Sequence, residues 1–151
     1  MNHTNKALLT VLLMTAVPTA VFADTIISSA NGPTNSTNGS WVFSDTFTVN
    51  TNSVITQLGY YDNNNTNHDS HMVGLYDNVG TLLASANVAA GENYSGNYDW
   101  KNISSIALTA GNTYTIAGVS NTDLYGYHGV PTVSSLFTFV SAQYNWGTTL
   151  G

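Results

Sequence analysis

The feature that most constrains the fold is a series of short runs of β-branched and aromatic residues, separated by turns rich in Asn and Gly. The clearest run is Thr81–Val88, where apolar and polar residues alternate and Leu83 alone breaks the pattern. Alternation with a period of two is typical of a strand that has one buried face. The buried face of this strand is predicted to carry Leu82, Ala84, Ala86 and Val88.

Similar runs predict the other strands of an all-β fold. After the N-terminal region, no segment keeps helical spacing over two turns. About seven to nine short strands joined by such turns predict an antiparallel β-sandwich of jelly-roll or immunoglobulin-like type. A closed barrel is the alternative. The predicted strands are Trp41–Val49, Val54–Tyr61, His71–Tyr76, Thr81–Val88, Trp100–Leu108, Thr113–Val119 and Val133–Val140, with a further edge strand after Asp24.

Two local features refine this prediction. Asp77-Asn78-Val79-Gly80 predicts a type I turn, with glycine where a positive φ is needed. In Trp41–Val49, Asp45 shares its parity with Phe43 and Phe47. Because a charge in an apolar row is unfavourable, we expect a kink or bulge near Asp45.

The N-terminal residues have the features of a secretory signal peptide. Lys6 precedes the apolar run Ala7–Val17, and Val21-Phe22-Ala23 fits a cleavage site before Asp24. An N-terminal membrane anchor is the alternative, although the run is short for a membrane span. We expect a signal peptide (1–23), a polar N-terminal segment (24–40) and a β-sandwich domain (41–151). The mature chain is then secreted, in the periplasm, on the cell surface or outside the cell, with no stable membrane span.

Charge limits the partners of the mature chain. Without Lys6, Lys101 is the single Lys or Arg against eight Asp and Glu residues. Such a chain cannot neutralise phosphates, so we expect no nucleic-acid partner. The sequence has no cysteine, so the core must stabilise the fold without disulfides, with or without a metal ion.

The polar loop Asp62–His71 is the best candidate for an ion site. Its carboxylates and side-chain amides are the hard oxygen ligands that Ca²⁺ prefers. We predict Asp62, Asn64 and Asp69 as calcium ligands, and Ca²⁺ is the one cofactor that the sequence suggests. The loop lacks the glycine and the glutamate of an EF-hand. The alternative is a solvated Asn-rich loop that binds no metal.

His71 shares its parity with Val73 and Leu75 on the expected core face. We therefore expect a buried, hydrogen-bonded histidine at a strand start. The alternative is a zinc ligand acting together with His68.

No catalytic set emerges from the sequence. A Gly-x-Ser-x-Gly motif and a cysteine nucleophile are both missing. Asp99 could be paired with Glu92 or Asp123 as in a glycosidase, but any chain with eight acids allows such pairs. We expect no enzymatic activity.

Aromatic residues outside the clear strands are the second candidate site. They can stack on sugar rings or anchor a protein partner, or they can cap the core. We expect Trp100 to cap the core, and we predict Tyr125 and Tyr127, in their Gly-flanked segment, as ligand-binding residues. The whole set is Tyr94, Tyr98, Trp100, Tyr125, Tyr127, Tyr144 and Trp146.

The residues Leu58–Asp62, His71–Tyr76 and Gly80–Ala84 together resemble a β-sandwich domain of unknown function. That domain is common in exported bacterial proteins, including proteins with PEP-CTERM sorting signals. LTAGNTYTIAG (Leu108–Gly118) and SLFTFVSAQYNWGTTL (Ser135–Leu150) are similar to later segments of the family. The resemblance implies a secreted or surface module with no established catalysis. This chain departs from the sorted members, since a C-terminal Pro-Glu-Pro, a hydrophobic span and an Arg-rich end are missing, and truncation of the chain is an open alternative.

These observations lead to one expected function and one alternative. We expect a non-catalytic exported module of the cell surface or extracellular matrix that contacts polysaccharide or surface proteins. The alternative is a lectin-like carbohydrate-binding module stabilised by Ca²⁺. Self-association through exposed strand edges is a further expectation.

Overall fold

A computed structural model describes residues 27–31, 34–36, 38–127 and 130–150. The predicted signal peptide, residues 1–23, lies outside this range. Within it, no helix has the length and apolar character needed to cross a membrane.

The described chain consists of β-strands joined by turns, as the alternating pattern predicts. Two of the strands lie in the range expected to be a polar N-terminal segment. Two more lie in the Gly- and Tyr-rich stretch after Ser120, between the strands that the sequence predicts to end at Val119 and to begin at Val133. The strands are β1 (Ile27–Asn31), β2 (Thr34–Ser36), β3 (Trp41–Val49), β4 (Ser53–Tyr61), β5 (His71–Tyr76), β6 (Leu82–Val88), β7 (Tyr98–Leu108), β8 (Thr113–Val119), β9 (Tyr125–Tyr127), β10 (Val130–Val133) and β11 (Phe137–Trp146).

The strands form an antiparallel β-sandwich, which confirms the predicted fold class. One layer is a five-stranded sheet with the order β11-β3-β8-β5-β6. The long pair β4-β7 packs against that sheet, and the short pairs β1-β10 and β2-β9 complete the strand pairing. Every strand pair in the described residues is antiparallel.

The core lies between the five-stranded sheet and the β4-β7 pair. Both layers contribute side chains that are almost completely buried. Each such side chain contributes roughly 1.5–3 kcal/mol of hydrophobic stabilisation, and no disulfide assists it. The core cluster is Phe47, Val49, Leu58, Tyr60, Val73, Leu75, Val88, Leu108, Tyr114 and Phe137.

A β-bulge in β6 changes which side chains of this strand face the core. The register shifts between Leu75 and Tyr76, which pair with Ala84 and Leu82, so Leu83 is the extra residue. Leu83 packs against the core, whereas Leu82 is 49% exposed. The prediction that Leu82 shares the buried face is therefore wrong. The bulge also explains the break in alternation at Leu83, because an extra residue reverses the parity of the strand.

The bulge expected near Asp45 is not in β3. The pairing of β3 with β8 is regular through this residue, and the irregularity lies in the neighbouring strand β11, between Phe139 and Ser141. Asp45 keeps the parity of Phe43 and Phe47, and burial raises the pKa of its carboxyl to about 6.

The segment after β11 passes over the other face of the five-stranded sheet. A Cβ atom on Gly74 would lie 2.8 Å from Leu150 Cδ1, and one on Gly147 would lie 3.0 Å from Val42 Cγ2. Gly74 therefore leaves the space that Leu150 occupies.

Candidate functional site

Two loops at one end of the sandwich are joined by reciprocal carboxylate contacts. Asp123 Oδ2 accepts hydrogen bonds from the backbone N–H groups of His68 (2.8 Å) and Asp69 (2.7 Å). Asp69 Oδ2 accepts hydrogen bonds from the Thr122 backbone N–H (3.0 Å) and from its hydroxyl (2.6 Å). Asn121 Nδ2 donates to the Ser70 carbonyl at 2.7 Å. Each loop thus satisfies backbone donors of the other, and we call this arrangement the loop clamp.

His71 lies beneath the loop clamp and is completely buried, which confirms the expected hydrogen-bonded histidine. Its Nδ1 lies 2.9 Å from the Val119 carbonyl, and its Nε2 lies 3.1 Å from Asp123 Oδ2. The ring stacks on Tyr60 at a centroid distance of 3.7 Å. Because both ring nitrogens are engaged inside the protein, His71 serves to position the clamp.

The loop residue Asp62 meets Asp99 in the interior. Both side chains are fully buried. Asp62 Oδ1 accepts hydrogen bonds from the backbone N–H groups of Thr66 (2.5 Å) and Asn67 (3.1 Å). By contrast, Asp62 Oδ2 and both carboxyl oxygens of Asp99 have no hydrogen-bond partner in the described protein. Burial raises the pKa of Asp99, and the nearby charge of Asp62 raises it further.

The structure gives the three predicted calcium ligands separate surroundings. Asp62 is buried beside Asp99, and Asp69 is engaged by Thr122 in the loop clamp. Asn64 is exposed, has a positive φ of 61°, and donates from Nδ2 to Asn63 Oδ1 at 3.2 Å. In the described ranges, no group of three or more His, Asp or Glu side chains could hold a metal ion. Asp62 is therefore the one predicted ligand that faces another carboxylate.

A group of aromatic side chains lies at the β11 edge of the five-stranded sheet. Tyr144 is 68% exposed and Trp146 is 63% exposed. Trp146 stacks on Trp41 at 4.0 Å, and Tyr144 makes an edge contact with Trp41 at 5.5 Å. Phe43 lies 6.4 Å from Tyr144. We call Trp41, Phe43, Tyr144 and Trp146 the edge aromatic cluster.

The Gly-flanked tyrosines predicted as ligand-binding residues lie on β9 rather than on a free loop. Tyr125 is buried, packs on Phe43 at 4.8 Å, and donates its hydroxyl hydrogen to Asn38 Oδ1 at 2.5 Å. Tyr125 therefore packs against the buried side of the edge aromatic cluster, at Phe43. Tyr127 pairs through its backbone with Thr34; its side chain lies outside the described part of the chain.

The remaining aromatics of the predicted set are divided between surface and interior. Trp100 is half-buried over Gly59, on the face of the β4-β7 pair opposite to the core residues Leu58 and Tyr60, so the prediction that it caps the core is wrong. Its indole N–H donates to the Ser95 carbonyl at 3.1 Å. Tyr98 packs between Tyr61 and Trp100. Tyr94 is 36% exposed and bonds Asn97 through its hydroxyl.

A groove of about 440 Å³ lies between β6 and β7. Its lining combines polar residues with apolar ones, which include Leu83, Ala86, Ile103 and Ile106. Lys101 also lines it, and its Nζ is engaged by Glu92 Oε1 at 2.7 Å. The groove thus presents an ion pair beside small apolar side chains.

The comparison with protein families identifies the family of the chain. Residues 28–134 match a family described as a domain of unknown function, DUF4082. The chain belongs to the DUF4082 family. The matched range begins at β1 and includes every strand up to β10, so β1 and β2 are part of the family domain. The segment Ser135–Leu150, which carries Tyr144 and Trp146, lies beyond it. Searches of curated proteins and of solved structures found no match to the chain.

The sequence did not reveal the partners that organise these sites. Asp123 and Asp99 were considered only as members of a carboxylate pair in a glycosidase. Asp99 becomes the neighbour of Asp62 because β7 pairs with β4 in a register that places Asp99 opposite Tyr60. A signal was present, since Asp99 lies between two aromatic residues at the start of an apolar strand.

Proposed function

We propose that this DUF4082 domain is a non-catalytic interaction module of an exported protein and that the edge aromatic cluster is its binding surface. The observation that carries the proposal is the joint exposure of Tyr144 and Trp146 on an edge strand. Large aromatic side chains that stay exposed side by side mark interaction sites, because burying them on a partner yields a large hydrophobic gain.

Contacts within the protein hold the edge aromatic cluster in place without a partner. Trp41 supports Trp146 by stacking, and its indole N–H donates to Asn38 Oδ1 at 2.8 Å. Asn38 Oδ1 also accepts the Tyr125 hydroxyl. A preorganised surface loses little conformational entropy on binding, which favours affinity.

Polysaccharide is the ligand class that the cluster favours. Flat aromatic faces can pack against the C–H faces of sugar rings, and the surrounding surface is rich in hydroxyl and amide groups. Lys101, the one Lys or Arg in the described part of the chain, lies on β7 rather than near the cluster and is paired with Glu92. A neutral polysaccharide therefore suits the cluster better than an acidic one. Surface proteins are the alternative partners, and the open edge of β11 would serve self-association.

The proposal places the domain outside the cytoplasm. The features of residues 1–23 and the resemblance to exported PEP-CTERM-type proteins support secretion to the periplasm, the cell surface or the medium. Mass spectrometry of the protein recovered from cell fractions tests this location. An exported fraction whose chain begins at Asp24 agrees with it, and an uncleaved cytoplasmic chain contradicts it.

A glycan array tests the binding function. We expect the purified chain to bind a neutral polysaccharide and to lose this binding in Tyr144→Ala. Tyr94→Ala is the matched control, because it removes an exposed tyrosine that lies outside the edge aromatic cluster. Equal binding by the two variants contradicts the assigned surface. Binding to no glycan rejects polysaccharide as the ligand, and size-exclusion chromatography then tests self-association.

A further inference from the structure

The carboxyl groups of Asp62 and Asp99 are both buried and lie close enough for the charge of Asp62 to act on Asp99. Asp62 directly follows β4, and its backbone N–H donates to the Asn97 carbonyl at 2.8 Å, which extends the β4-β7 pairing by one residue. Asp99 is opposite Tyr60 in this register. Asp62 and Asp99 therefore lie diagonally on one face of the strand pair, where their side chains can interact directly.

Three of the four carboxyl oxygens in this pair lack a hydrogen-bond donor. Asp62 Oδ1 is satisfied by two backbone N–H groups, but Asp62 Oδ2, Asp99 Oδ1 and Asp99 Oδ2 are not satisfied by any described protein group. Three groups lie near the Asp99 carboxyl: the Gly91 backbone N–H and the Asn67 side chain lower its pKa, and contact with the Asp62 carboxyl raises it. None of the three completes a well-formed hydrogen bond. A buried carboxylate left in this state is strongly destabilising.

No side-chain cation among the described residues is positioned to neutralise the pair. Lys101 is engaged by Glu92, and the His68 and His71 side chains are both directed to Asp123. Two carboxylates that are fully buried beside each other need a positive partner, because their repulsion and their desolvation act in the same direction. That partner is either a shared proton or a bound cation.

We propose that a calcium ion binds between Asp62 and Asp99. The two side chains that meet here offer carboxylate oxygens, which are ligands that Ca²⁺ prefers, whereas structural zinc sites are built mainly from Cys and His. Asn65 Oδ1 lies 3.5 Å from the position of a Cβ atom on Gly91, so a side-chain amide oxygen reaches the turn beside Asp99. Calcium accepts six to eight oxygen ligands in flexible geometry, and nearby amide and backbone oxygens can supply those that two carboxylates do not.

This site would stabilise the fold in the way that a disulfide does in other exported proteins. It would join the loop after β4 to the turn before β7. Asp62 directly follows β4 and Asp99 lies near the start of β7, so an ion shared between their carboxylates would hold the loop after β4 against β7. The binding surface at the β11 edge is on a different strand, so this proposal does not rest on the proposed function.

The test is calcium binding by the purified chain after treatment with a chelator. Equilibrium dialysis should show a single bound Ca²⁺ per chain, with an affinity in the range of extracellular modules, roughly 10⁻⁴–10⁻³ M. Thermal unfolding followed by fluorescence should show a midpoint that rises by roughly 5–10 °C when Ca²⁺ is about 100-fold above the dissociation constant. An equal rise with Mg²⁺ would contradict the assignment of calcium.

Two substitutions separate the calcium site from a pair that shares a proton. Asp99→Asn and Asp62→Asn should each abolish the bound ion and the calcium-dependent rise. Asp62→Asn keeps an oxygen that can accept the Thr66 and Asn67 N–H groups, so this variant should still fold. Glu92→Gln removes a carboxylate from the same turn and should leave calcium binding intact. The proposal is overturned if the unmodified chain binds no Ca²⁺ in dialysis, or if binding persists in Asp99→Asn.

Discussion

Tyr60 and His71 stack face to face, with ring centroids 3.7 Å apart and ring planes inclined by 10°. Tyr60 comes just before the Asn-rich loop and His71 comes directly after it, so the stack closes the base of that loop. Burial and the charge of Asp123 raise the pKa of the Tyr60 hydroxyl, which keeps the ring neutral over the physiological range. The Tyr60–His71 stack thus fixes both ends of the loop on the core, and the loop clamp fixes its middle to the loop that carries Asp123.

The loop clamp predicts a large difference between its two carboxylates. Asp123→Ala leaves the buried His71 ring and two backbone N–H groups without their acceptor, so we expect a loss of about 3–5 kcal/mol in the free energy of unfolding. Asp69→Ala removes two hydrogen bonds near the surface and should cost about 1 kcal/mol. Urea unfolding of both variants measures this difference, and equal losses would show that Asp123 does not organise the clamp.

Asp45 predicts a stability that depends on pH. Burial raises its pKa from 3.8 to about 6, so the folded chain binds the proton more tightly than the unfolded chain does. This group therefore lowers stability as the pH rises from about 4 to about 6, by at most about 3 kcal/mol, and the loss persists above that window. Asp45→Asn should raise the free energy of unfolding at pH 8 and have a smaller effect at pH 5.

Asp77 is the matched control for Asp45 because its pKa shifts in the opposite direction. Hydrogen bonds from the backbone N–H groups of Thr81 and Val79 hold the pKa of the Asp77 carboxyl below its usual value. Asp77 thus contributes stability above its unfolded pKa that is lost as the pH falls. Asp77→Asn should destabilise the chain at pH 8, and a gain in stability there would contradict the assignment.

The bulge in β6 predicts opposite outcomes for two neighbouring leucines. Leu83→Ser places a hydroxyl against the core and should cost about 2–3 kcal/mol, whereas Leu82→Ser changes an exposed residue and should stay within about 0.5 kcal/mol. Chemical denaturation of the two variants reveals which leucine faces the core. A larger loss for Leu82→Ser would show that Leu82 faces the core, as regular alternation predicts, and would contradict the bulge.

A side chain at position 59 is expected to clash with Trp100, and shortening Trp100 should relieve the clash. A Cβ atom at this position would lie 2.5 Å from Cζ3 of Trp100. Gly59→Ala should therefore cost about 1–3 kcal/mol, because the indole must leave its place on the strand. In a double-mutant cycle, Trp100→Leu should remove most of the penalty of Gly59→Ala, and simple additivity would contradict the contact.

Alternation of apolar residues was sufficient to predict most strands and the fold class, because each long strand has one face on the core. It failed where one extra residue reverses that parity, at Leu83, and where the strand continues beyond its apolar part. β11 extends to Trp146, although the sequence suggested an ending near Val140, since pairing with β3 supports its exposed aromatic residues.

The candidate sites were predictable only as local features. The Asn-rich loop was recognised as the place for an ion, but its partner Asp99 depends on the register between β4 and β7. Similarly, Asp123 reaches His71 because β8 and β5 are neighbours in the sheet. Side chains that strand pairing brings together can be any distance apart in the sequence, so no fixed spacing reveals them. The prediction therefore grouped Asp62, Asn64 and Asp69, which are close in the sequence.

The measurement that tests the central claim most directly is the affinity of the chain for a neutral polysaccharide that it binds on the array. Isothermal titration should compare the unmodified chain with Tyr144→Ala and Trp146→Ala, with thermal unfolding of each as the check on folding. The edge aromatic cluster predicts a loss of at least about tenfold in affinity for Tyr144→Ala with an unchanged unfolding midpoint. Unchanged affinity in both variants would show that the ligand binds elsewhere and would contradict the assignment of this surface.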